Sequence, residues 1–153
     1  MSAIVAAVVR DALTSSAAIT TRVSTRIYAS YRPATALPAI VITFANDRDV
    51  SPSIGRTDRL RRMNVTVDCF AATLQASRLL AEDVRVALHG AAGTGRGTTQ
   101  VFEIRVISAE TEYDLGAEGT EPETHITTVQ AECTYRSPAV SPVTITDPTG
   151  PIP

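Results

Sequence analysis

The cleanest pattern in the chain runs from Met63 to Phe70. Met63, Val65, Val67 and Cys69 fall on one side, and Arg62, Asn64, Thr66 and Asp68 on the other. A period of two predicts a half-buried strand, from about Leu60 to Phe70, with the apolar face inward. After two alanines the period lengthens to that of a helix, Thr73 to about His89. Ala76, Leu80, Val84, Ala87 and Leu88 line one side of it, with Arg78, Glu82 and Arg85 mainly outside, and Gly90 stops it. A second helical stripe, Val5, Val8, Val9, Ala12 and Leu13, predicts a first helix capped by Ser2. Ala17 to Val23 reads as a short further turn.

The remaining apolar runs are short and β-branched. Arg26–Tyr28 and Ala39–Phe44 are predicted strands. So is Gln100–Ser108, with Phe102, Ile104 and Val106 inward and Val101, Glu103, Arg105 and Ile107 opposite. His125–Tyr135 is the last, with Val129, Ala131, Cys133 and Tyr135 on one face. Between them lie polar loops: Ala29–Pro38, a long hairpin loop Asn46–Arg59 holding Pro52 and Gly55, a glycine-rich Ala91–Thr98, and an acidic Glu110–Glu123. Two amphipathic helices need one apolar sheet face to cover, and hairpin-joined strands pair antiparallel. The expected fold is therefore α+β: a two-layer domain with an antiparallel sheet of four to five strands and two helices on one face. It spans residues 1–136. Five of the nine prolines fall in residues 137–153, which read as an extended tail.

Composition narrows the picture. With 153 residues the chain fits one domain. Three Phe, four Tyr and no Trp leave a largely aliphatic core. A net charge of -2 points neither to nucleic acid nor to an anionic membrane. All 14 basic residues are arginine, a side chain suited to planar ion pairs between subunits as well as a product of GC-rich coding. Cys69 and Cys133 sit in strand patterns and are expected to be buried, reduced thiols. The apolar run Ile4–Val9 is cut by Arg10-Asp11 and has no basic residue before it, so it does not read as a signal peptide. No segment reaches membrane-spanning length, and a soluble protein that folds in the cytoplasm is expected.

Candidate chemistry is sparse. Gly93-Thr94-Gly95-Arg96-Gly97 lies after a helix and before a strand, the wrong order for a dinucleotide fingerprint, and it lacks the ending of a P-loop. His89 suits a helix C-terminus, and His125 opens a strand. The two Cys and two His lack zinc-site spacing, and Cys69 sits mid-pattern on an apolar face, unlike an activated thiolate. The acidic loop lacks the alternation of a calcium loop. No catalytic residue, cofactor or metal site is expected. The hairpin loop and its flank carry Arg48, Arg56, Arg59, Arg61 and Arg62 against Asp47, Asp49 and Asp58. That balance is too mixed for a duplex-binding patch, and it suits a solvated tip or an assembly partner. In the tail, Val143-Thr144-Ile145-Thr146 alternates like an edge strand, which makes Val143 and Ile145 further partner-contact candidates.

Several local sequences also carry a resemblance. They are Arg26-Ile27-Tyr28 followed by Pro33; Leu37-Pro38-Ala39-Ile40-Val41; Asp68-Cys69-Phe70-Ala71; the helix Leu79–Leu88; and Cys133-Thr134-Tyr135-Arg136. Together, over roughly Val5 to Arg136, the chain resembles the tail-completion (tail terminator) proteins of long-tailed bacteriophages and gene-transfer particles. These are signatures of fold and not of catalysis. The resemblance implies a virion structural protein of the neck region. It would form a homo-hexameric ring that meets the tail tube protein on one face and a head-completion or connector protein on the other, with DNA passing through the lumen. The alternatives are a connector of the same neck, or a small cytosolic α+β enzyme or ligand-binding domain. An enzyme predicts a pocket with convergent polar groups.

Overall fold

The computed structural model describes residues 3–30, 36–50, 58–94, 100–113 and 124–138. In chain order the elements are α1 (Ala3–Thr14), α2 (Ala17–Val23), β1 (Ile27–Ala29), β2 (Ala39–Asp49), β3 (Asp58–Ala71), α3 (Leu74–Leu88), β4 (Gly93–Thr94), β5 (Gln100–Tyr113) and β6 (His125–Pro138). They build one sheet in the order β1-β2-β3-β6-β5-β4. The strand with the cleanest alternation, β3, is central. It pairs with β6 over its whole length, from Asp58↔Pro138 to Ala71↔His125, and with β2 on the other side. Because β6 lies antiparallel to both β3 and β5, those two run the same way. Joining them needs a crossover, and α3 supplies it.

The α+β, two-layer reading holds, with the sheet larger by short pieces. The sixth strand is β4, two residues long, and β1 lies parallel to β2 with Ile27↔Ile40 and Ala29↔Ile42. This mixed edge arises because β1 and β2 are joined by residues 30–38, not by a tight hairpin. The segment read as a turn at Ala17–Val23 is a full helix, tied to α3 by Arg22 Nε to Asp83 Oδ2 at 2.7 Å.

The core lies between the helices and one sheet face. Val5, Val9 and Leu13 of α1 and Leu80, Val84 and Leu88 of α3 are fully buried, together with Met63, Val65, Val67 and Cys69 of β3. At about 25 cal/mol per Å² of apolar surface, each such side chain contributes roughly 1.5–3 kcal/mol. Thr73 caps α3 by accepting from the Ala76 N–H at 3.1 Å. His89 closes the helix through its own N–H to the Arg85 carbonyl, and Gly90 follows at φ +77°, a conformation suited to glycine. On α3, Ser77 and Ala81 are buried in addition to the expected stripe.

Two boundary expectations change. Strands β2 and β3 run on through charged residues, with Arg48 opposite Arg62 and Asp49 opposite Arg61. The hairpin connection is therefore residues 50–57, shorter than Asn46–Arg59. Likewise β5 continues through Glu110 to Tyr113, and β6 through Ser137 to Pro138. Face assignment on β5 also changes. Val101 is buried, because the register slips between Val101 and Glu103 and one extra residue faces Tyr135. A second slip between Val106 and Ser108 accompanies Ile107, which is 62% exposed. Ser2, Pro33, Pro52, Gly55, Gly95–Gly97, the acidic residues 114–123 and the tail beyond Pro138 lie outside the described residues.

Candidate assembly surfaces

The end of the β2–β3 ladder is where the arginine candidates gather. At Asn46 the backbone turns to φ +56°, and two residues, Asn46 and Asp47, stand opposite Met63 alone. This bulge brings the Asp47 carboxylate over β3. There the Tyr135 hydroxyl donates to Asp47 Oδ1 at 2.7 Å, and Arg61 Nε donates to the same oxygen at 3.0 Å. Arg61 also lies 3.6 Å from Asp49. Tyr135 is 1% exposed. Burial first, and the Asp47 bond second, push its phenol above the ordinary value. Three strands are thus tied by one carboxylate.

The opposite sheet face is polar and mixed in charge. Arg48 and Arg62 each lie 3.6 Å from Glu132, and Thr128 donates to Asp68 at 2.7 Å. Of the candidate contacts, Arg48, Arg61 and Arg62 are therefore strand residues in intramolecular ion pairs, not loop residues. Arg48 remains the most open of the three, with its side chain 61% exposed. Arg59 stands near the start of β3, opposite Ser137. Arg56, Val143 and Ile145 lie outside the described residues. What sequence reasoning missed is the Tyr135–Asp47 link. Its only local sign is a polar pair, Asn46-Asp47, inside an otherwise extended stretch.

The buried chemistry is structural. Cys69 and Cys133 are both fully buried. Burial, reinforced by Asp68 and Asp83, drives the Cys69 thiol far above its usual range, and burial pushes Cys133 up to about 12. Both sulfurs stay protonated near neutral pH, the reverse of an activated nucleophile. Among the described residues no three His, Cys, Asp or Glu side chains gather closely enough to hold a metal. A cavity of about 240 Å³ opens between α1 and β1–β2, lined by Ala6, Ala7, Ile27, Ile42 and Phe44, with Arg10 and Tyr28 the polar members. No described helix is long and apolar enough to cross a membrane.

This fold is shared with a chain of a solved assembly described as the virion of a native gene transfer agent particle. The TM-score is 0.67 at 13% identity, and the match covers 90% of this chain and 100% of that one. At such low identity the likeness shows the fold. A search of the curated proteins returns no significant match. The family model described as tail completion protein gp17 matches residues 7–130, most of the chain. The chain therefore belongs to the tail completion protein gp17 family.

Proposed function

We propose that the chain is a ring-forming tail terminator. In this reading it assembles, as a homo-hexamer, on the last ring of the tail tube, stops tube growth and offers its other face to the head-side connector. The observation that carries it is the family match over residues 7–130. The shared fold with a chain of a gene transfer agent virion supports it. The physics agrees: two buried thiols and an Asp47 carboxylate held by Tyr135 and Arg61 have structural roles, and the β2–β3 ladder continues through charged residues to its end. The segment 50–57 with Arg56 and Arg59, the exposed Arg48, and Val143 and Ile145 of the C-terminal segment are the residues we assign to partner contact. DNA passes through the ring without specific binding.

The test is genetic. Particles assembled without this chain should accumulate filled heads beside separate tails of irregular length, and supplying the chain should restore joined particles. Normal joined particles in its absence overturn the reading.

A further inference from the structure

Among the described residues the sheet ends in two edges without a full-length neighbour. On one side β1 covers β2 only at Ile40–Ile42. The last bonds there are Ile40 N–H to the Arg26 carbonyl and Ser30 N–H to the Ile42 carbonyl, both 2.9 Å. From Thr43 to Asp49, β2 continues with no described strand on that side. On the other side β4 covers Gln100 and Val101, and Gly90 and Ala91 bond Ile104. From Arg105 to Tyr113, β5 likewise runs on with no described outer neighbour. Neither stretch contains the proline that commonly blunts an edge strand.

We propose that these edges pair with each other between copies of this chain, residues 43–49 of one subunit against residues 105–113 of the next. The inference rests on the ring reading above and names its interface. Three observations carry it. First, the edges are different surfaces of one subunit, so their contact repeats head-to-tail around an axis instead of closing a dimer. Second, β2 and β5 run in opposite directions, since three antiparallel pairings separate them. Copies related by rotation therefore meet as an antiparallel pair.

Third, the offset between the edges fits closure. The middle of the β2 edge, Asn46, stands level with Met63 of β3. The middle of the β5 edge, Ala109, stands level with Val129 and, through it, Val67. Four residues of offset are about 13 Å along the strands, and four strands are about 19 Å across. Successive copies then follow a line inclined by about 35°, at the edge of the 35–45° strand tilt of closed barrels. The same register sets Ala45 opposite Glu110 of the neighbour, and Arg48 opposite Ile107. Ala45 and Glu110 both lie on the polar sheet face, where a second carboxylate set directly opposite Glu110 repels it.

Amide exchange on the free subunit and on the assembled ring reads this interface directly. The expected result is that amides in residues 43–49 and 105–113 exchange at least about tenfold more slowly in the ring, while the outward α3 stripe at Leu79 and Val86 is unchanged. Charge exchange supplies a second reading that leaves the fold intact. Ala45→Glu alone should shift native mass spectra away from rings, and adding Glu110→Arg should restore them. Rings whose two edges exchange as fast as in the free subunit, or that ignore Ala45→Glu, overturn the edge pairing and leave the ring reading standing. A chain that stays monomeric even with tube ends present overturns both.

Discussion

Tyr135 on β6 and Asp47 on β2 are not neighbouring strands' residues, yet the Tyr135 hydroxyl reaches over β3 to donate to Asp47 Oδ1 at 2.7 Å. Arg61, on the intervening strand, donates to the same atom. Removing the hydroxyl while keeping the ring isolates this link. Tyr135→Phe is expected to lower stability by about 1.5–3 kcal/mol, the range for a hydrogen bond to a charged group. Amide exchange near Asn46 should rise with it. A denaturant midpoint unchanged in Tyr135→Phe contradicts the role assigned to this contact.

The buried face of α3 sets the next expectation. Val84 is fully buried against the sheet. Val84→Asp places an unpaired carboxylate there, at a cost of several kcal/mol against a total stability of about 5–15 kcal/mol. Far-UV circular dichroism and thermal melting should show an unfolded or strongly destabilised chain. By contrast Val86, 65% exposed on the same helix, should accept Asp with little change.

A buried polar pair gives a sharper test. Ser77 Oγ and Thr127 Oγ1 lie 2.9 Å apart, and Thr127 also faces Thr111 Oγ1 at 3.4 Å. Ser77→Ala leaves the Thr127 hydroxyl short of a partner in the core and should cost about 1–3 kcal/mol. Adding Thr127→Val removes both groups together, and the double variant should be closer to the parent than the single losses sum to. Strict additivity in this cycle contradicts a direct bond.

Titration of the thiols predicts the alkaline limb. Their folded pKa lies above the ordinary 9.0, so the folded state holds protons that the unfolded state releases. Their contribution is complete below about pH 9 and is lost as pH rises from there through the folded values. Stability should fall by about 1.4 kcal/mol per pH unit per thiol in that window. Tyr135 adds to the loss from its ordinary value of 10.0 upward. The Cys69→Ala/Cys133→Ala variant should show a flatter profile between pH 9 and 10. An equally steep profile in that variant removes the thiols as the cause.

The long periodic stretches carried the architecture. Alternation around Val65 and Val67 located the central strand, and the Leu80–Val84–Leu88 spacing located the helix over it. Strand ends were less legible. At the end of the β2–β3 ladder charged side chains occupy both faces, Arg61 beside buried Tyr135 and Arg48 and Arg62 on the polar face, so these residues carry no apolar alternation. Bulges were hidden too, since one extra residue at Phe102 or Asn46 flips the face of all that follows without changing composition. The Tyr135–Asp47 pair joins residues 88 apart in the chain, and nothing local announces such a contact.

Tube capping in a purified system measures the central claim most directly. Tail tube protein polymerised with and without this chain is viewed by negative-stain microscopy. With the chain present, tubes should stop growing and carry a six-fold ring at one end only. Tubes that lengthen equally in its presence, with no ring at either end, contradict the terminator reading.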